Sequence, residues 1–118
     1  SVAMVHRALA CGGTVDGVRL MSAAGVERAL VQQADNVDLV LGTNMRMGTG
    51  FGLMNDTVPL SPNPRACFWG GWGGSLSVID LDARLTVSYV MNRMASNLVG
   101  DLRGALLVFA AYESLTSR

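Results

Sequence analysis

The segment that most constrains the fold is an alternation of apolar and polar residues around the turn sequence "DLDA", Asp80–Ala83. A period of two is typical of strands with one buried face, and aspartate tolerates turn conformations. The pattern predicts a β-hairpin with strands over Gly74–Asp80 and Arg84–Asn92. The apolar members of the alternation are Leu76, Val78, Leu85, Val87 and Tyr89.

Helical spacing of apolar residues occurs in two segments N-terminal to this hairpin. The spacing over Val2–Cys11, followed by Gly12 and Gly13, predicts a first helix with a glycine stop. The segment Thr14–Leu20 is expected to be a short turn or strand passage. Ser22 is positioned to cap a second helix, from Ala23 to about Gln33.

Short segments connect these helices to the hairpin. The runs "DNVDLVLG" and "MRMGTGFGL" are strand-like, "NDTVPLSPNPR" holds all three prolines and predicts a surface loop, and Arg65–Trp69 predicts another strand. From about Asn97 the helical period returns. One stripe of this last helix would pack across the sheet: Leu98, Leu102, Ala105, Phe109 and Tyr112.

The predicted fold class is therefore α+β. It comprises N-terminal helices, an antiparallel β-meander of about three strands, and a C-terminal helix packed on the sheet. The 118 residues are expected to form one domain, or one fragment of a domain, over positions 1–118. The N-terminus has neither an initiator methionine nor a signal-peptide layout, so the chain has the character of an interior segment.

The charge balance excludes two classes of partner. Nine cations, all arginine, face nine anions, and charged residues are only 15% of the chain, which gives no electrostatic basis for binding nucleic acid or anionic membranes. The longest wholly apolar run, Ala105–Tyr112, is far shorter than the roughly 20 residues of a membrane span. Neither class is therefore expected as a partner.

No cofactor or metal is indicated by the sequence. The two cysteines, Cys11 and Cys67, form neither a C-x-x-C pair nor a disulfide framework, so free thiols and a cytoplasmic location are favoured. Among seven methionines, Met45 and Met47 have strand spacing and are expected to fill the core.

The stretch "WGGWGG", Trp69–Gly74, contains both tryptophans and four glycines. Glycine weakens a strand and usually marks a bulge or a site that a ligand or another backbone approaches closely. Two interpretations follow. Either the strand is bulged and its tryptophans lie in the core, or a ligand lies along a strand that the glycines leave uncovered.

The residues of this region carry a resemblance to a known family. "WGGWGGSLSVIDLDARLTVSYVMNRM" resembles the C-terminal part of the serine β-lactamase-like hydrolases, which include class C β-lactamases, D-alanyl-D-alanine carboxypeptidases and carboxylesterases. Esterase-like members have "GHGGAGGS", then "DP-x-A", then "YVMNRM". The earlier segments "ALACGGTVDGVRLMS" and "MRMGTGFGL" resemble the family's "ALANGG-x-x-x-G-x-R-x-LS" and "GLGF". The resemblance covers nearly the whole chain, and the order and spacing of its motifs make it specific.

The resemblance implies a serine nucleophile in S-x-x-K, a tyrosine in Y-x-N, and a third motif on a neighbouring strand. The chain has no lysine, and neither Tyr89 nor Tyr112 is followed by x-N, so only the third motif is present. By resemblance it is Trp69-Gly70-Gly71, and the backbone N–H of Trp72 belongs to the oxyanion hole. The implied substrate-binding residues are Trp69, Gly70, Gly71 and Trp72, and a tryptophan in place of lysine favours a neutral ester over a β-lactam.

Other residues that could carry chemistry are expected to be structural. His6 has no paired acid or nucleophile, Asp80 and Asp82 are expected to be solvated turn formers, and Ser75 has no neighbouring base. Cys67 is only a weak candidate for a reactive thiol, because no cation is its neighbour in sequence.

Three functions from different classes therefore remain. In the first, the chain is the C-terminal portion of a serine esterase. Its partners are then the N-terminal part of the parent enzyme, which it requires for activity, and a small ester substrate. Alternatively, it is a non-catalytic module that binds small ligands. As a third possibility, it is a structural piece that forms a homo-oligomer through uncovered apolar surface and strand edges. An independent catalytic activity is not expected for the chain alone.

Overall fold

A computed structural model describes residues 1–98 and 100–117. The described residues form three helices, a two-stranded sheet and a six-stranded sheet. In chain order the elements are α1 Val2–Ala10, β1 Thr14–Val15, β2 Val18–Arg19, α2 Ala23–Ala29, β3 Ala34–Val37, β4 Asn44–Met47, β5 Gly52–Leu53, β6 Ala66–Gly70, β7 Leu76–Asp80, β8 Leu85–Tyr89 and α3 Leu102–Thr116. The α+β prediction is confirmed.

The larger sheet is an antiparallel meander in which β3 to β8 lie in sequence order. The predicted hairpin is confirmed as β7–β8, with Val78 opposite Val87. The prediction of about three strands was too low, because the short runs β3, β4 and β5 continue the same sheet beyond β6. Gly52 lies opposite Phe68, where an added Cβ would meet the phenyl ring, so a glycine is required for this pairing.

The six-stranded sheet has a buried cluster on each face. One cluster, under α1 and α2, consists of Leu9, Ala10, Val26, Leu53, Cys67, Ile79 and Leu81. The other lies under α3 and consists of Met45, Leu60, Phe68, Leu76, Val78 and Val108. Met45 and Met47 thus belong to or pack against the core, as predicted. The sheet is a central layer between helices.

Helices α1 and α2 begin as the sequence predicts. The Ser22 hydroxyl accepts a hydrogen bond of 3.0 Å from the backbone N–H of Gly25, which caps α2. The predicted end at about Gln33 was wrong, since α2 ends at Ala29. The Ala29 carbonyl accepts from the N–H of Thr49 at 2.9 Å, and the N–H of Gln33 donates to Met47 at 2.8 Å, so the chain has already joined the sheet.

Helix α3 begins at Leu102, later than the predicted start at about Asn97. Its buried face centres on Gly104 and Val108. Of the predicted stripe, Ala105 and Tyr112 pack against the core, whereas Leu102 and Phe109 are exposed. The physical reason is Gly104: an added Cβ would lie only 3.2 Å from the side chains of Leu76 and Tyr89. The helix therefore approaches the sheet along its smallest residue instead of its widest apolar stripe.

Asp80 corrects another prediction, because its side chain is not solvated but fully buried at the end of β7. Its carboxylate accepts hydrogen bonds from four donors: the hydroxyls of Ser61 and Tyr112, the side-chain amide of Asn63 and the backbone N–H of Ala83, at 2.5–2.9 Å. Residues 55–65 form the predicted surface loop, which the hydrogen bonds of Ser61 and Asn63 tie to the core. Asp82 remains partly exposed and pairs with Arg65.

Many large apolar side chains lie on the surface of the chain. Leu39 and Val40, in the connection between β3 and β4, are 97% and 90% exposed, and the apolar residues Leu102, Leu106, Leu107 and Leu115 of α3 are also exposed. Among the described residues, no helix has both the length and the hydropathy needed to cross a membrane.

Candidate functional site

The glycine-rich stretch forms the turn of the β6–β7 hairpin. The N–H of Gly71 donates to the carbonyl of Ser75 at 3.0 Å, and the N–H of Gly74 donates to the carbonyl of Gly71 at 3.2 Å. Gly73 and Gly74 have φ values of +94° and +114°, in the region that side chains of L-residues rarely adopt. Two of the four glycines are therefore explained by the turn itself.

The segment before α3 holds this turn in place. The N–H of Gly73 donates to Asn97 at 3.0 Å, and the carbonyl of Gly73 accepts from the N–H of Ala95 at 2.9 Å. The Arg103 guanidinium reaches the same Gly73 carbonyl at 3.2 Å and the Arg93 carbonyl at 2.9 Å. The turn is thus fixed to the N-terminus of α3 by backbone and side-chain bonds.

Arg103 is itself oriented by Asp101, the N-cap of α3. The Asp101 carboxylate accepts from the Arg103 guanidinium and from the backbone N–H of Arg103 at 2.9 Å. The hydrogen bond from this guanidinium holds the pKa of Asp101 below its ordinary value. The guanidinium carbon also lies 5.9 Å from the centroid of the Tyr89 ring, within the range of a cation–π contact.

A groove of about 520 Å³ lies beside this turn, on the sheet face that α1 covers. Its size is that of a pocket for a small ligand. Among residues 1–98 and 100–117, no aspartate, glutamate or arginine lines it, so its described walls are apolar side chains, glycine backbone and a few neutral polar groups. The lining residues include Val2, His6, Phe51, Trp69, Gly70, Gly71, Ser75, Ser77, Ser88 and Val90.

The structure brings three of the four predicted substrate-binding residues together in this groove. Trp69, Gly70 and Gly71 line it, and the Trp69 side chain is 43% exposed. Trp72 lies outside it at the tip of the turn, with its side chain 61% exposed. The interpretation that the tryptophans fill the core is therefore wrong, and the strand faces an open space instead.

The backbone N–H of Trp72 differs from those of its neighbours in the turn. Among the described residues, no hydrogen bond uses this N–H, although the neighbouring N–H groups of Gly71, Gly73 and Gly74 are all bonded. The glycine turn fixes the peptide of Trp72 without consuming its donor. A fixed backbone donor of this kind can bind a carbonyl oxygen or an oxyanion.

A chain of polar side chains in the groove was not predicted. His6 Nδ1 lies 2.9 Å from Ser77 Oγ, and Ser77 Oγ lies 2.8 Å from Ser88 Oγ. The His6 ring also meets the Phe51 ring edge to face, with centroids 6.5 Å apart. These residues are far apart in sequence, so the only available signal was that Ser77 and Ser88 occupy opposing positions of the predicted hairpin.

Cys67 is not a reactive thiol in this structure. It is fully buried on the same sheet face, and burial, together with the nearby Asp80 charge, raises the pKa of its thiol to about 12. The thiolate, which is the nucleophilic form, is therefore almost absent at neutral pH. Cys11 and Cys67 are both free.

Ser75 and the question of a metal site remain. Ser75 lines the groove, and its carbonyl closes the turn with Gly71. Within residues 1–98 and 100–117, no three side chains of histidine, cysteine, aspartate or glutamate cluster in a way that could hold a metal ion.

Comparison with known proteins gives two informative structural matches. No protein-family model matches the chain, and no curated protein is significantly similar to it. It is similar to a solved family VIII carboxylesterase, with 42% identity and a TM-score of 0.86 over 95% of this chain and 30% of that one. It is also similar to a penicillin-binding protein homologue from Caulobacter crescentus, with 36% identity and a TM-score of 0.89 over 96% of this chain and 30% of that one.

Both matched proteins have the serine β-lactamase-like fold, so the resemblance seen in the sequence is confirmed. The chain spans about 30% of the length of each solved structure. It therefore corresponds to part of a larger hydrolase fold.

Proposed function

We propose that the chain is the C-terminal portion of a serine ester hydrolase of the carboxylesterase-like branch. In this proposal, Trp69-Gly70-Gly71 forms one wall of the substrate groove. Trp72 supplies one backbone N–H of the oxyanion hole. The serine nucleophile and its lysine come from the N-terminal part of the parent enzyme, because this chain contains no lysine.

One observation carries the proposal: a backbone donor is held in a fixed position at the end of an open strand. The Trp72 N–H has no partner among the described residues, and its neighbours on both sides are held by hydrogen bonds. Ester hydrolysis passes through a tetrahedral intermediate whose oxygen carries negative charge. A preorganised donor near that oxygen stabilises it, and one such donor is worth about 3–4 kcal/mol of barrier.

The groove also supports a neutral substrate. No charged side chain of the described residues lines it, so a substrate carboxylate would lose its hydration without gaining a cationic partner. The Trp69 ring instead offers a wide apolar surface beside glycines that leave the strand accessible. A short-chain ester with uncharged acyl and alcohol parts fits these properties.

A second candidate function is a non-catalytic module that binds small ligands or associates with itself. The exposed apolar residues Leu39 and Val40 and the edge strand β3 favour association. This candidate predicts a discrete oligomer that binds esters but never hydrolyses them, even when the rest of a hydrolase is supplied.

The first test is a chimera in which this chain replaces the matching 30% of the family VIII carboxylesterase of known structure. We expect the chimera to hydrolyse p-nitrophenyl butyrate and the separate chain to have no activity. A folded chimera without activity would contradict the proposal. So would robust hydrolysis by the separate chain that one substitution abolishes.

The second test compares two changes at Trp72 in that chimera. Trp72→Pro removes the backbone N–H, and we expect kcat to fall by about 10²- to 10³-fold. Trp72→Ala keeps the N–H and serves as the matched control, with a loss of less than about 10-fold. Equal losses in both variants, with both folded, would remove Trp72 from the oxyanion hole.

A further inference from the structure

His6 stands at one end of a hydrogen-bonded chain that crosses the floor of the groove. Its Nδ1 meets Ser77 Oγ at 2.9 Å, and Ser77 Oγ meets Ser88 Oγ at 2.8 Å. Ser77 is buried, whereas His6 and Ser88 are half-buried, and all three line the groove. A polar chain of this kind on an otherwise apolar floor can orient a ligand.

The direction of the hydrogen bonds in this chain decides which nitrogen of the histidine ring carries the proton. Each hydroxyl has one proton to donate. If Ser88 donates to Ser77 and Ser77 donates to His6 Nδ1, both hydroxyl protons are used and only the Nε2–H remains. In the opposite direction, the Ser88 proton and the Nε2 lone pair are left without a partner, whereas the first direction leaves the Nε2–H and the Ser88 Oγ lone pairs. Both directions therefore make two hydrogen bonds, and we adopt the first because a neutral imidazole carries its proton more readily on Nε2 than on Nδ1.

We propose that His6 is a ligand-positioning residue whose Nε2–H donates to an uncharged acceptor, such as the oxygen of an ester, in the groove. Ser77 and Ser88 hold the imidazole in the required tautomer, and Phe51 fixes its tilt through an edge-to-face contact. The ligand class follows from the lining, which is apolar on the side of Trp69 and Val2 and carries no charged side chain among the described residues.

This inference deepens the proposed function and rests on it only for the choice of an ester as ligand. It concerns binding by the chain as it stands and requires no nucleophile. His6 is not assigned a proton-transfer role, because no carboxylate among the described residues is hydrogen-bonded to its ring.

The tautomer is tested first, by nitrogen-15 NMR of the histidine ring in mildly alkaline buffer. His6 is the only histidine, so its two ring nitrogens can be assigned without ambiguity. We expect the proton on Nε2 in the unchanged chain. We expect a mixture of tautomers in Ser77→Ala, where the acceptor bond at Nδ1 is lost. A proton on Nδ1 in the unchanged chain would overturn the proposal.

Binding is tested by titrating the chain with ethyl butyrate and following amide shifts by NMR. We expect His6→Asn, which keeps an Nδ1-like group but has nothing at Nε2, to weaken binding about 3- to 10-fold. His6→Gln, whose amide reaches the Nε2 position, should recover part of the loss. Thr86→Val is the matched control, because Thr86 bonds Ala3 of α1 but does not line the groove.

The outcomes separate this inference from the proposed function. Binding that His6→Asn and His6→Gln leave unchanged, in folded variants, would overturn the role of His6 without affecting the oxyanion hole. An absence of binding by the unchanged chain up to the solubility limit of ethyl butyrate would also overturn it. An inactive chimera combined with His6-dependent binding would overturn the proposed function alone.

Discussion

The two ends of the β6–β7 ladder are built in opposite ways. At the Asp80 end, a buried carboxylate is satisfied by four donors from three separate segments. At the Gly70 end, the chain turns through glycines, both tryptophans are exposed, and the Trp72 N–H has no partner among the described residues. The comparison indicates that one end of the hairpin stabilises the fold, while the other is held rigid but open to a ligand.

The strongest test of this comparison is Asp80→Ala. The change leaves donors of Ser61, Asn63 and Tyr112 unpaired, so the free energy of unfolding should fall by about 3 kcal/mol or more. Urea denaturation measures the loss. Asp82→Ala is the control, because its pair with Arg65 is partly exposed and should contribute less than about 1 kcal/mol. Equal losses in the two variants would show that the buried Asp80 network stabilises the fold no more than the Asp82–Arg65 pair does.

Gly74→Ala, at the Gly70 end of the ladder, is expected to have a smaller effect on the free energy of unfolding. The residue has a φ of +114°, and an added Cβ would run into the Asp101 carboxylate and the Arg103 guanidinium. We expect a loss of about 2 kcal/mol, measured by thermal or urea unfolding. Gly42→Ala, at a φ of +68° with open space around it, should cost about 1 kcal/mol. A neutral Gly74→Ala would mean that the turn is not tightly held.

Lowering the pH should reduce the stabilisation that the Asp80 end of the ladder contributes. Burial alone would raise the pKa of Asp80, but the hydrogen bonds from Ala83, Tyr112, Asn63 and Ser61 outweigh it, so the pKa lies below the ordinary 3.8. The carboxylate therefore stabilises the fold above that value, and this contribution is lost as the pH falls through the lowered pKa. We expect the difference in unfolding free energy between the unchanged chain and Asp80→Asn to shrink below about pH 4. A constant difference would contradict this.

The smallest effect is expected at the tip of the turn. Because Trp72 is 61% exposed, Trp72→Ala should change the free energy of unfolding by no more than about 0.5 kcal/mol. Phe68→Ala, in the buried part of the same hairpin, should cost about 4 kcal/mol. Differential scanning calorimetry compares the two. A large loss at Trp72 would mean that this tryptophan stabilises the fold rather than forming part of an open site.

Local patterns were sufficient to predict the parts of the fold that depend on neighbours in sequence. The alternation around Asp80–Ala83 predicted β7 and β8, and Ser22 was correctly identified as a cap. The burial of Asp80 could not be predicted, because its donors come from a proline-rich loop and from α3. The packing of Ala105 and Tyr112 was predicted, but the burial of Gly104 was missed, since Gly104 matters only once the helix meets Leu76.

Only the part of the candidate site that belongs to the family motif could be predicted from the sequence. The resemblance pointed to Trp69-Gly70-Gly71, and these residues do line the groove. The contact between His6 and Ser77 joins residues 71 positions apart, and no periodicity in the sequence connects them. Such a contact becomes visible only when α1 is placed on the sheet.

The hydrogen bond from the Arg103 guanidinium to the Gly73 carbonyl restricts which changes of sequence this site can tolerate. An insertion or deletion between Gly71 and Ser75 would move that carbonyl away from the guanidinium and detach the turn from α3. New specificities are therefore more accessible through substitutions at groove-lining positions such as Trp69 and Val90 than through changes in loop length. A library of variants aimed at new ligands should hold the length of this turn constant and randomise the residues that line the groove.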